Sequence, residues 1–96
     1  MNHEEARAAV LERAQRRCAG IPEEIVINDA HTIEKPYGWI FYYNTRRYYE
    51  TGDIMYKILG RGPVIVIAAT GEIIEKGSAY PSEVIIRMFE EERHLL

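Results

Sequence analysis

The chain has 96 residues and a mass of 11.1 kDa, with 47% hydrophobic and 28% charged residues, the balance of one small globular domain rather than a disordered segment. Its longest apolar run, Val64 to Ala69, is six residues, against the roughly 20 that a membrane helix needs, so no segment reads as membrane-spanning. Fifteen acidic against 12 basic residues leave a net charge of −3, which argues against binding driven by nucleic-acid phosphates.

The first element reads as a helix. Asn2 with Glu5 three residues later forms a capping-box start. Ala6, Val10, Ala14 and Cys18 then recur every fourth residue, with Leu11 beside them, as an apolar stripe. Much of that stripe is alanine, which suits close packing on a flat sheet. Arg16 and Arg17 suit the negative end of the helix dipole, Gly20 is placed to take the left-handed C-terminal conformation, and Pro22 marks the stop. The acidic opening Met1-Asn2-His3-Glu4-Glu5 lacks the charge and apolar stretch of an export signal. A single cysteine excludes an internal disulfide, so the expected location is the reducing cytoplasm.

Glu24 to Glu34 reads as a strand with Ile25, Ile27 and Ile33 on one face, in register with Asp29 and His31. Lys35-Pro36-Tyr37-Gly38 is a turn by composition. Trp39 to Asn44 gives the strongest strand signal, with Trp39, Phe41 and Tyr43 on one face and Ile40 and Tyr42 on the other, and the two runs pair as a hairpin. Between Thr45 and Gly62, the spacing of Ile54, Met55, Ile58 and Leu59 predicts a short helix that Gly60 ends. Pro63 opens the run Val64 to Ala68, apolar on both sides and therefore central in a sheet. Ala69-Thr70-Gly71 turns it into Glu72 to Lys76, a second hairpin. The last helix starts near Pro81 and buries Val84, Ile85, Met88 and Phe89. The order predicts a single domain, residues 1–96, of the α+β class: an antiparallel sheet of about four strands in two hairpins, flanked by N-terminal and C-terminal helices, with a short helix between the hairpins.

Chemistry-bearing motifs are sparse, and no catalytic set, cofactor site or metal site is expected. Cys18 lies on the apolar stripe and reads as a small buried thiol rather than a nucleophile. Asp29 and His31, two apart on a strand, share a face and form the one pair that could orient a base or a metal, but a metal needs three or four ligands. Gly60-Arg61-Gly62-Pro63 is glycine-rich, yet it precedes a strand and reads as a loop rather than a phosphate cradle.

The informative region is the middle. Residues 1–34 carry a net −3, residues 35–62 a net +3, and residues 63–96 a net −3. Six of the seven tyrosines, the only tryptophan and one of two phenylalanines fall between Tyr37 and Tyr56, with Arg46 and Arg47 among them. Tyrosine, tryptophan and arginine are the residues of protein-binding hot spots. Stacking on single-stranded nucleic acid uses the same types, but the acidic balance opposes it. Trp39, Phe41 and Tyr43 read as core. Arg46, Arg47, Tyr48 and Tyr49 are candidate partner contacts, joined by Glu90, Glu91 and Glu92, which sit at the wrong end of a helix for its dipole.

Gly38-Trp39-Ile40-Phe41-Tyr42-Tyr43, Tyr49-Glu50-Thr51-Gly52-Asp53, Gly60-Arg61-Gly62-Pro63-Val64-Ile65-Val66, Thr70-Gly71-Glu72 and Gly77-Ser78-Ala79 follow the order and spacing of the YrhB-like immunity protein family (immunity protein 35). The chain resembles that family from about Gly38 into the last helix. The resemblance implies a small cytoplasmic α+β protein of bacterial polymorphic toxin systems. Such a protein neutralises a cognate toxin domain encoded beside it, by protein contact and without catalysis. A chaperone-like or housekeeping binding module without a toxin partner is the alternative. Within that pattern Trp39, Phe41, Gly52, Asp53, Gly60, Gly62, Pro63 and Gly71 are scaffold positions. Arg61 stands where the family more often has a small polar residue, so a recognition role for its loop implies a different partner. No nucleic acid or membrane is expected as a partner, and an aromatic edge strand is compatible with a homodimer.

Overall fold

A computed structural model describes residues 1–95. Helix α1 spans His3–Arg17, and its capping box is formed: the Asn2 side chain accepts from the Glu5 N–H at 2.8 Å, and the Glu5 carboxylate accepts from the Asn2 N–H at 2.9 Å. Ala6, Val10, Ala14 and Cys18 are all buried. The stop differs from expectation. Cys18 (φ −107°) closes the helix by donating to the Ala14 carbonyl, the Ala19 N–H donates to the Arg16 carbonyl, and Gly20 does not adopt a positive φ.

The strands are β1 (Ile25–Ile27), β2 (Ile33–Lys35), β3 (Gly38–Phe41), β4 (Tyr43–Thr45), β5 (Val64–Ile67) and β6 (Ile73–Glu75). They form an antiparallel four-stranded sheet in the order β2-β3-β5-β6 and a two-stranded β1-β4 ribbon. The expected strand from Glu24 to Glu34 is therefore two strands, separated by a 3-10 turn over Asp29–His31. Asn and Asp favour local side-chain bonding over ladder bonds, and both oxygens of Asp29 are drawn onto Arg7 of α1 at 2.7 and 2.8 Å. The partner strand breaks at the matching place, Tyr42, whose carbonyl still accepts from the Asn28 N–H at 2.8 Å. Pairing resumes on either side, so both halves of the predicted hairpin are antiparallel neighbours.

Alternation along β3 and β4 builds three layers. Phe41 and Tyr43 face α1 and join Ile25, Ile27, Val64 and Val66, with Trp39 packed at the margin. Ile40 faces the other way and meets Ile65, Ile86 and Phe89. The last two come from helix α3 (Ser82–Glu92), which covers the second face. Strand β5 lies between β3 and β6, the central position its two-sided apolarity requires. The buried face of α3 is rotated by one residue from expectation: Ile85, Ile86, Phe89 and Glu90 are buried, whereas Val84 and Met88 are exposed. The sheet face offers Lys35 and Tyr37 as partners for Glu90, which draws the acidic residue inward.

The short helix also sits elsewhere. Helix α2 spans Arg46–Thr51, with the Thr45 hydroxyl accepting from the Tyr48 N–H at 3.0 Å as N-cap and Gly52 closing it at φ +71°. Ile54–Tyr56 forms only one 3-10 turn, capped by Asp53, and Ile54, Met55 and Leu59 are exposed rather than helical and buried. The left-handed Gly52 ends one helix just where the predicted one would begin.

Candidate interaction groove

Two side chains fix how the chain returns from α2 to β5. Asn44, buried on β4, donates to the Ile58 carbonyl at 3.2 Å, and its oxygen accepts from the Ile58 N–H at 2.8 Å and the Thr45 N–H at 2.9 Å. The Thr45 hydroxyl donates to the Tyr56 carbonyl at 2.6 Å. Residues 56–58 are thereby pinned beside β4, which sets Lys57 and Arg61 next to α2 and to the break between β3 and β4.

A groove of about 620 Å³ opens at that break. It is lined by Asn28 and Ala30 to Ile33, and by Tyr48 and Tyr49 of α2 with Lys57. Its floor is Tyr42 to Asn44, and it ends at Arg61, Gly62 and Ser82. The Tyr42 hydroxyl is hydrogen-bonded to the Ser82 hydroxyl, tying the floor to the start of α3. Tyr48 and Tyr49 lie 5.8 Å apart, centre to centre, and the Lys57 ammonium sits 5.5 Å above the Tyr48 ring. Partial burial, aided by Tyr48, pushes the Tyr49 hydroxyl up to about 12. Burial also raises the Tyr43 hydroxyl, with Arg61 opposing it. Among the described residues the groove lining contains no Asp or Glu.

The candidate contacts separate into three sites. Arg46 and Arg47 are exposed on α2, but both are engaged within the chain: Arg46 forks onto Glu24 at 2.8 and 3.0 Å, and Arg47 reaches Glu23 at 3.5 Å while lying 5.0 Å from the centre of the Tyr56 ring. The Arg46 guanidinium holds the Glu24 carboxyl below its ordinary range. Tyr48 and Tyr49 form the groove wall. The acidic run of α3 does not line the groove: Glu90 is buried, accepts from the Tyr37 hydroxyl at 2.8 Å and faces the Lys35 ammonium at 3.1 Å, Glu91 pairs with Arg87 at 3.4 Å, and Glu92 is exposed. Burial, then the bond to Glu90, raises the Tyr37 hydroxyl well above its usual value.

Asp29 and His31 share a 3-10 turn rather than a strand face, and Asp29 is taken up by Arg7, so they do not form an oriented pair. No group of three or more His, Cys, Asp or Glu side chains stands together among the described residues. Asn44 and Lys57 are not singled out by the sequence, and Arg61 only as a departure from the family pattern. Arg61 lay in plain view between two glycines, but its meaning depends on which neighbour the loop meets.

These features define an α+β protein with an aromatic groove lined by cationic and no acidic side chains among the described residues. The immunity protein 35 family model matches residues 4–88, and the chain belongs to that family. Over 53 residues it is 36% identical to the uncharacterised protein YrhB of Escherichia coli (strain K12), a match covering 55% of this chain and 56% of that one. The chain thus spans about half the length of this curated relative. No solved structure matches the chain significantly. No helix among the described residues is long and apolar enough to cross a membrane.

Proposed function

We propose that the chain is a non-enzymatic cytoplasmic binding protein that neutralises a cognate bacterial toxin by direct contact, acting as a single domain. The observation that carries this reading is the match to the immunity protein 35 family over residues 4–88. The tyrosine-walled groove beside α2 supports it, because it supplies large, rigid, polar-tipped contact area of the kind that dominates protein interfaces. The contact surface is α2, with Arg46, Arg47, Tyr48 and Tyr49, and the adjoining groove. The test is co-expression with a toxin domain encoded beside the gene: the wild-type chain should co-purify with it and abolish its toxicity. Arg47→Glu should lose capture while unfolding at the wild-type temperature, and retained capture would remove α2 from the contact surface.

A second reading is favoured by the exposure of Ile54, Met55 and Leu59 at 70, 84 and 70% on one loop. A chaperone-like module would use these residues to hold unfolded clients. It should suppress aggregation of unrelated proteins, and Met55→Ser would weaken that effect without touching toxin capture.

A further inference from the structure

Ion pairing within the chain leaves its positive charge concentrated at one place. Nine of the 12 Lys and Arg side chains face a carboxylate within 4 Å. Among the described residues the three without one are Lys57, Arg61 and Lys76, and two of these, Lys57 and Arg61, line the groove. The groove joins a smaller cavity of about 130 Å³ through Tyr43, Arg61 and Gly62, which line both. At this junction stand the two buried side-chain polar atoms that lack a hydrogen-bond partner among the described residues: the Tyr43 hydroxyl and the Arg61 Nε. Tyr43 is only 4% exposed and lines both cavities. A buried donor without an acceptor is costly, and a carboxylate, which only accepts, satisfies a guanidinium N–H and a hydroxyl together. The one carboxylate already in the smaller cavity, Glu75, is spoken for by Arg13 at 2.9 Å and Arg17 at 2.8 Å.

We infer that the groove receives an extended acidic segment of the partner protein, with one carboxylate seated on Arg61 and the Tyr43 hydroxyl and another on Lys57. This rests on the binding role proposed above and specifies the chemistry of the partner. Tyr48 and Tyr49 supply the wall along which the segment lies. A nucleic acid fits less well, because two free cations in a chain of net −3 cannot track a run of phosphates. The site offers positive charge on a chain that is otherwise net acidic, so it selects among partners and speeds encounter.

The experiment uses the whole chain and a capped acidic pentapeptide, Asp-Tyr-Glu-Tyr-Asp, with the amide counterpart Asn-Tyr-Gln-Tyr-Asn and acetate as probes, all at millimolar concentration, read by NMR. The acidic peptide should shift the Tyr43, Tyr49, Lys57 and Arg61 signals, the Arg61 Nε–H included, and the effect should weaken with added salt. The amide peptide should leave them in place. Lys57→Gln and Arg61→Gln should each weaken binding roughly tenfold, the loss expected for a charge-assisted hydrogen bond. Should Arg61→Gln fail to fold, the exposed Lys57→Gln and the charge-conserving Arg61→Lys carry the comparison. Equal binding of both peptides, shifts confined to α3, the same shifts with acetate alone, or no shift at all would each overturn the inference. Toxin capture unchanged in the Lys57→Gln/Arg61→Gln double variant would refute the groove and leave neutralisation standing. Peptide binding by a wild-type chain that captures no toxin would refute neutralisation and leave the groove.

Discussion

Replacing Glu90 with Ala should destabilise the fold by about 2–3 kcal/mol, the value of a charge-assisted hydrogen bond plus a partly solvated ion pair. The carboxylate is nearly buried, with its side chain 10% exposed, and one oxygen takes both the Tyr37 hydroxyl at 2.8 Å and the Lys35 ammonium at 3.1 Å. Lys35, 29% exposed, relaxes into water when its partner goes, so the larger share of the loss comes from the buried bond to Tyr37. Glu90 also lies in the last turn of α3, where a negative charge opposes the helix dipole, and Lys35 offsets that repulsion. The assay is urea and thermal unfolding followed by fluorescence of Trp39, the only tryptophan. The expected drop in melting temperature is about 10–20 °C for a domain this size. Tyr37→Phe should fall between wild type and Glu90→Ala, because it keeps the ion pair and deletes the hydroxyl. Glu91→Ala and Glu92→Ala, on exposed residues, should stay within about 0.5 kcal/mol of wild type. If Glu90→Ala unfolds with Glu91→Ala and loses toxin capture, Glu90 is a partner contact and its buried role is refuted.

A Cβ on Gly62 would overlap the backbone carbonyls of Gly77 and Lys76, so Gly62→Ala should cost about 3 kcal/mol or prevent folding, whereas Gly20→Ala, which meets nothing within 4 Å, should stabilise by about 0.4–1 kcal/mol; denaturant titration compares them. Asn44→Ala removes three backbone bonds and should cost about 2–3 kcal/mol, with amide exchange at Ile58 accelerating while β5 stays protected. The pH dependence has two limbs. Arginine partners hold Glu24, Asp29 and Glu72 below their ordinary values, and Glu75 is held low by Arg13 and Arg17 against the upward push of its burial. The unfolded chain therefore takes up protons first. The stability these groups add is present above about pH 4 and lost as pH falls through their lower folded values. Tyr37 and Tyr49 are raised, so their contribution is present below about pH 10 and lost as pH climbs beyond it. Urea midpoints should fall on both sides of a neutral plateau, and an acid limb unchanged in Arg13→Ala/Arg17→Ala would contradict the role given to Glu75.

Periodicity made α1, β3, β5, the second hairpin and the α+β class legible, because in each the apolar spacing matches a face that is buried. It failed where local chemistry outweighs spacing. Ile54, Met55, Ile58 and Leu59 have helical spacing, but Thr45 and Gly52 cap an earlier helix of six residues, Arg46–Thr51, whose own sequence is polar and carries no stripe. The cue was a capping residue at the end of a strand and a glycine seven positions on. The break at Asn28 and Tyr42 was less accessible, since the matching interruption of both strands depends on register and on Arg7 reaching Asp29 from another element. That break opens the groove, so the site was less legible than the fold.

The +3 middle of the sequence illustrates the same limit in electrostatic terms. Arg46 and Arg47 look like a basic patch when counted along the chain, yet the acidic first third supplies Glu24 and Glu23 to meet them. The charge that remains is on Lys57 and Arg61, in residues whose composition points only to a loop. A linear charge count registers cations before folding has chosen their partners. Surface ion pairs of the Arg46–Glu24 kind contribute little to stability, but here they decide where the surface keeps unpaired positive charge. On the proposed binding role, recognition depends on the carboxylates that pair with α2 as well as on the cations left in the groove. Removing Glu24 and Glu23 would widen the field toward α2 without adding any positive residue.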